Sequence, residues 1–157
     1  PPRSWTAGAL ALSAISQVAC QTTAPPAVKL GSGPRDSVVI LNDGNAMPLV
    51  GLGTVFISPG GIKRAVDQAL RSGIRHFDTS PDYRNEAAMG HALERARRRN
   101  GVRRDELWIT TKLEQEHHRY ADALAACERS LRALRVDFVD LYLVHWPVTD
   151  VERSEEH

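Results

Sequence analysis

An α/β fold built on a parallel sheet is what this sequence predicts, and three observations predict it. From Val38 onward apolar residues switch between strand-like runs and helical spacing, a hairpin precedes repeated strand–helix units, and glycines punctuate the joins. Val38-Val39-Ile40-Leu41, the turn Asn42-Asp43-Gly44-Asn45 and Met47 to Val50 read as a β-hairpin. Gly51-Leu52-Gly53-Thr54 reads as a short strand opening into a Gly/Pro loop. Ile62, Ala65, Val66, Ala69 and Leu70 recur at helical spacing, and Gly73 supplies the stop. Ile74 to Thr79 is a strand, and Met89, Ala92, Leu93 and Ala96 mark the next helix, capped by Asn85. Leu107 to Thr111 is a strand. Tyr120, Leu124, Cys127, Leu131 and Leu134 form the stripe of a third helix, and Phe138 to Val144 is the fourth strand.

The reading is therefore a β-hairpin plus four strands and three helices. A (β/α)8 barrel needs about 250 residues and eight strands, so this would be half of one. A doubly wound open sheet fits the alternation equally well.

Length and composition bound the rest. The 157 residues suit one ordinary domain, and a net charge of +1 gives no global reason to expect nucleic acid or anionic lipid as a partner. No apolar run reaches the roughly 20 residues of a membrane-spanning helix. Cys20 and Cys127 form no metal-type pair and no disulfide framework, so the folded part reads as reduced and cytoplasmic. Residues 1–37 differ from the rest of the chain: the first 35 hold Arg3, Lys29 and Arg35 and no acid. They read as a disordered extension or a possible targeting segment, with secretory or organellar import left open by the apolar stretch Ala7 to Ala19. Residues 38–150 form the domain, and 151–157 read as the tail of a truncated chain.

Four residues carry chemistry. Asp78 closes the second strand, Lys112 the third and His145 the fourth, and Tyr83 lies in the loop after the second. In a parallel barrel the C-terminal strand ends form one face, which holds the active site. Parity agrees: Ile74, His76 and Asp78 share a face, as do Trp108, Thr110 and Lys112, and Leu141, Leu143 and His145. A tyrosine, with an ordinary pKa of about 10, is a poor proton donor at neutral pH. A nearby ammonium favours the phenolate, and a carboxylate holds that ammonium in place. A histidine can orient or polarise a carbonyl oxygen. Such a set protonates an oxygen while hydride reaches carbon, and no side chain supplies hydride, so a nicotinamide is implied.

The stretch from Val38 to Val148 resembles the N-terminal half of the aldo-keto reductases. The residues that carry the resemblance are L-N-D-G-N-A-M-P at 41–48, G-L-G-T at 51–54, R-H-F-D-T at 75–79, Y-R-N-E at 83–86, I-T-T-K-L at 109–113 and D-F-V-D-L-Y-L-V-H-W-P-V at 137–148. The spacings of 5, 29 and 33 between Asp78, Tyr83, Lys112 and His145 fit the family's catalytic tetrad. The resemblance implies a TIM barrel, here its N-terminal half, in an enzyme that is monomeric at full length. It implies NADPH-dependent reduction of aldehydes or ketones to alcohols, with Tyr83 as general acid, Asp78 and Lys112 tuning it, and His145 orienting the carbonyl. Tyr83 and His145 would touch the small-molecule carbonyl substrate, and Gly53, Thr54, Val55 and Asp78 would line the nicotinamide end of the cofactor cleft. The family's adenosine and pyrophosphate contacts come from its second half. A non-catalytic reductase-like protein, or a truncated product without turnover, is the alternative.

The sequence departs from the family at Val55 and Glu114, where aromatic residues are common, and at the polar Ser80-Pro81-Asp82. Other features have plainer readings. Gly51-Leu52-Gly53 is not a dinucleotide fingerprint, since no helix comes closely enough after it. Arg95, Arg97, Arg98, Arg99, Arg103 and Arg104 read as a solvated helix end, favourable at a C-terminus and without interleaved aromatics. His117-His118 lacks a metal-binding spacing motif, and no metal is expected.

Overall fold

A computed structural model describes residues 28–29 and 37–146. Most of the segment read as an extension, and the 151–157 tail, lie outside the described residues.

Among the described residues there are two sheets. The hairpin strands β2 (Val38–Ile40) and β3 (Ala46–Pro48) pair antiparallel, Ile40 opposite Ala46, and a two-residue strand β1 (Val28–Lys29) adds to β2. The second sheet holds β4 (Gly51–Gly53), β5 (His76–Asp78), β6 (Trp108–Leu113) and β7 (Leu141–Val144), all parallel and in chain order. Helices α1 (Pro59–Arg71), α2 (Glu86–Asn100) and α3 (Tyr120–Leu134) make the three crossovers. The hairpin, four parallel strands and three helices read from the sequence are thus all present.

Local chemistry explains the element ends. Pro59 opens α1 at a position where its missing N–H costs nothing. Gly73, at φ 83°, accepts the left-handed turn that closes α1, its N–H donating to Leu70 O and that of Ile74 to Ala69 O. The fourth strand begins later than its apolar pattern implies, at Leu141 and not at Phe138. Asp140 Oδ2 there accepts the Ile109 N–H at 2.7 Å and an Arg104 N–H at 2.6 Å, while Phe138 O accepts another from Arg104. One backbone bond, Asp140 N–H to Ile109 O at 2.9 Å, and these side-chain bonds hold the entry to the strand. The third strand ends later than the sequence implies, at Leu113, so Lys112 sits one residue inside it.

Alternation sorts the sheet into two faces. Phe77 and Ile109 turn outward into a core with Ile62 and Val66 of α1, Met89 and Leu93 of α2 and Leu134 of α3, all but excluded from solvent. The opposite face carries polar groups: His76 Nε2 lies 3.1 Å from Thr110 Oγ1, and Nδ1 lies 3.0 Å from Pro48 O, tying the hairpin to the sheet. Among the described residues no helix is long and apolar enough to cross a membrane. Four of the six clustered arginines are paired: Arg95 with Asp67, Arg98 with Glu94, Arg103 with Asp105 and Arg104 with Asp140.

Helices α2 and α3 approach at Gly90, where a methyl group would sit 2.4 Å from Ala133 O. Backbone cannot yield as a flexible side chain can, so only glycine fits. Gly90→Ala is expected to lower the unfolding free energy by about 1–3 kcal/mol or more, measured by urea denaturation. A change within error would show that the helices can part freely.

Candidate active site

The C-terminal ends of β5, β6 and β7 place three side chains on one face, and the turn after β5 adds a fourth. Asp78 ends β5, with Asp78 opposite Thr110 and Lys112 opposite Leu143 in the register. After Asp78 the chain forms a 3-10 turn, Pro81–Tyr83, braced by Tyr83 N–H to Ser80 O and Arg84 N–H to Pro81 O. Pro81 presets the turn's backbone, and Tyr83 is carried back over the strand ends. His145 comes directly after β7, its N–H donating to Leu113 O at 3.0 Å.

Lys112 is the centre. It is 9% exposed, and all three of its N–H groups find acceptors: Asp78 Oδ1 at 2.6 Å, Thr79 O at 2.9 Å and Tyr83 Oη at 3.0 Å. An ammonium has three donors and no acceptor, so the set is saturated. Because Lys112 donates to the Tyr83 oxygen, the phenolic proton is left to point elsewhere. The ammonium also lies 4.8 Å from the centre of the Tyr83 ring. His145 meets that ring edge-on, centroids 5.7 Å apart, and Trp146 stacks on His145 at 5.6 Å. The structure thus brings Asp78, Tyr83, Lys112 and His145 together.

Beside them lies a ledge at the end of β4. Gly53 and Val55 are exposed, with open space around the Gly53 α-carbon. Thr54 between them is fully buried, and both its N–H and its hydroxyl donate to Asp78 O, at 3.0 and 2.9 Å. Thr54 therefore fastens the ledge to the strand bearing Asp78, and its neighbours face outward. An accessible backbone and an apolar side chain next to a half-buried carboxylate fit the edge of a flat nicotinamide ring.

Several residues that hold the site escape the sequence reading. Asn85 occupies the N-cap position of α2, but its side chain does not cap. Its Nδ2 donates to Thr54 O at 2.8 Å and Ile57 O at 2.9 Å, and its Oδ1 accepts from Thr79 at 3.2 Å. One amide thereby binds the ledge loop to the turn after β5. Beneath it, Glu86 accepts hydrogen bonds from Thr111 at 2.7 Å and Ser130 at 3.2 Å, joining α2 to β6 and α3. Burial pushes the Glu86 carboxyl above its ordinary value, and those two hydroxyls pull the other way. Asp82 and Ser80 both approach His145, a contact the polar Ser80-Pro81-Asp82 stretch could have signalled.

The sequence profile of the aldo/keto reductase family matches residues 49–156. This chain belongs to that family. An aldo-keto reductase of Mycolicibacterium paratuberculosis is 45% identical over 116 residues, 74% of this chain and 40% of that protein. Aldo-keto reductase family 1 member A1-A of Danio rerio is 44% identical over 113 residues, 71% of this chain and 35% of that protein. Among solved structures, the aldose reductase of Schistosoma japonicum superposes with a TM-score of 0.69 at 42% identity, covering 71% of this chain and 37% of that one. The Bombyx mori aldo-keto reductase in complex with NADP superposes at 0.68 and 36% identity, covering 71% and 38%. This chain thus spans about two fifths of the length of the relatives it matches. Its sheet and helices are half of a TIM barrel.

The site's supports can be tested through stability. Asn85→Ala would take the side-chain donor from the Ile57 carbonyl, leave the Thr54 carbonyl only the Ile57 N–H and strip the Thr79 hydroxyl of its acceptor, a loss of about 1–3 kcal/mol, read by thermal or urea unfolding. An unchanged midpoint would mean that water replaces the amide. For Glu86 the folded carboxyl holds its proton more tightly than the unfolded one. Its contribution is therefore full below the ordinary carboxylate range and fades as pH rises through the raised value. Glu86→Gln should accordingly gain on the parent protein between acid and neutral pH; a difference independent of pH would contradict this.

Proposed function

We propose that this reductase's residues reduce the carbonyl group of an aldehyde or ketone to an alcohol, using NADPH and with Tyr83 as general acid. The observation that carries the reading is the saturated ammonium of Lys112, bonded at once to Asp78 and to the Tyr83 oxygen. Asp78 fixes Lys112, and Lys112 places a positive charge 3.0 Å from the oxygen that becomes negative as its proton leaves. Tyr83 then has one role left for its proton, donation to a substrate oxygen lying between it and His145. His145 orients that oxygen. Tyr83 and His145 are thus the proposed substrate contacts, and Asp78, Tyr83, Lys112 and His145 the catalytic set.

The cofactor, when bound, supplies hydride to the carbonyl carbon. Gly53 and Val55 would hold the nicotinamide edge with Asp78 beside it, and Thr54 would keep the ledge in register. The choice of NADPH is supported by the Bombyx mori relative, whose structure is a complex with NADP. The substrate pocket wall differs from the aromatic one common in the family, with Val55 exposed and Glu114 after Lys112-Leu113.

The test is reduction of a panel of aldehydes and ketones, monitored by loss of reduced-nicotinamide absorbance. Tyr83→Phe removes only the donated proton and should cut kcat by about 10²–10⁴-fold, with cofactor affinity retained. Lys112→Met should fall at least as far. Turnover unaffected by Tyr83→Phe would overturn the assignment of the acid, and a folded protein with no turnover on any carbonyl would favour a non-catalytic role.

A further inference from the structure

His145 is held by more than its strand. Its Nδ1 lies 2.8 Å from Asp82 Oδ2 and 3.3 Å from Ser80 Oγ, whereas no hydrogen bond to Nε2 is formed among the described residues. A carboxylate only accepts, so Nδ1 must carry the proton in that bond. The acceptors are positioned in advance: Ser80 is fully buried, its hydroxyl accepts the Asp82 N–H at 3.3 Å, and Pro81 with two backbone bonds fixes the turn between them. The ring itself is held between the edge of Tyr83 and the stacked Trp146, with its side chain 14% exposed.

The Asp82 bond also decides what the other nitrogen can offer a ligand. A neutral imidazole has one N–H, and if Nδ1 holds it then Nε2 presents a lone pair. A lone pair repels a carbonyl oxygen. Donation from Nε2 then requires the ring to carry both protons.

We propose that Asp82 is a positioning residue for His145, fixing the neutral ring as the Nδ1–H tautomer so that Nε2 donates to a carbonyl oxygen only from the imidazolium. The proposal rests on the carbonyl-reducing reading for its catalytic consequence but not for the tautomer itself. The charged and titratable groups around the ring are Asp82 on the turn and Tyr83 at its edge, with Lys112 and Asp78 behind Tyr83. Of these only Asp82 bonds the imidazole directly. Ser80 supplies a second, weaker acceptor to the same nitrogen.

Long-range proton–nitrogen NMR on the ¹⁵N-labelled chain reads the tautomer directly. The His145 signals, one set among six histidines, are assigned by their loss in His145→Gln. At alkaline pH the parent ring should show a protonated Nδ1 and an unprotonated Nε2. Asp82→Ala should move the proton toward Nε2, and Asp82→Glu should restore the parent pattern. The amide spectrum of each variant reports whether the fold is kept, and Ser80→Ala offers a milder change in the same direction should Asp82→Ala unfold. An Nε2–H ring in the parent, or an identical pattern in Asp82→Ala, overturns the proposal. In turnover assays the parent's kcat/KM should fall as His145 loses its second proton. In Asp82→Ala that alkaline loss should be reduced several-fold, because the neutral ring can then donate. Coincident pH profiles would sink the catalytic half of the proposal. Absence of turnover in every variant would count against the reductase reading alone, since the NMR pattern stands without it.

Discussion

The arrangement at the strand ends depends on one constraint: an almost buried ammonium must give every one of its protons to an acceptor. Lys112 satisfies it with a carboxylate, a backbone carbonyl and a phenolic oxygen, contributed by β5, the residue after it and the turn beyond. Burying a charge without such partners would cost several kcal/mol. The requirement therefore fixes three things together. Asp78 must end its strand level with Lys112, Thr79 must turn its carbonyl inward, and the turn must return Tyr83 over the sheet. The parallel register provides the first of these. The second and third come from the buried Ser80 and from Pro81.

That centre is shielded by a set of neutral hydrogen bonds that do no chemistry. Thr54 directs its N–H and its hydroxyl to one carbonyl, that of Asp78. Asn85 gives its amide protons to the carbonyls of Thr54 and Ile57 and accepts from Thr79. The ledge after β4 and the turn after β5 consequently form one hydrogen-bonded unit although 31 residues separate Thr54 from Asn85. Displacing either loop would expose buried polar groups on the other. A surface of connecting loops can thus hold side chains to the tolerances that proton transfer needs. Glu86 extends the same unit down to α3, with its carboxyl kept above its ordinary value by burial.

How much of this was legible in the sequence depends on the physical rule involved. The parallel sheet, the hairpin and the shared face of Asp78 and Lys112 come from apolar periodicity and strand parity, which a linear sequence displays directly. Tyr83 and His145 came within reach through motif spacing. Asn85 looked like a helix cap because asparagine before a helix usually is one. Its amide instead serves carbonyls in the loop after β4, far away in the chain, and no local pattern reveals that. Gly90 gave no signal, since a glycine inside a helix looks only like a weak helix former until the facing backbone is known. Phe138 and Val139 extend the apolar run of the strand backward, yet the Asp140 carboxylate takes the Ile109 N–H that a ladder would use. Competition of this kind among donors is settled in three dimensions.

The polar stretch Ser80-Pro81-Asp82 is also where the site gains its contacts to His145. Ser80 and Asp82 flank Pro81 in this turn, and both reach the same nitrogen of His145. Lys112 and Asp82 are therefore parallel devices on the two proton-bearing groups. Lys112 donates to the tyrosine oxygen and so directs its proton outward; Asp82 accepts from the histidine and so retains a proton inward. The first arrangement leaves Tyr83 able to give a proton in its neutral form. The second denies that ability to His145 until the ring gains a charge. A substrate oxygen between the two would meet one donor armed in its neutral form and one armed only as a cation, and the asymmetry arises from which partner in each pair is the donor.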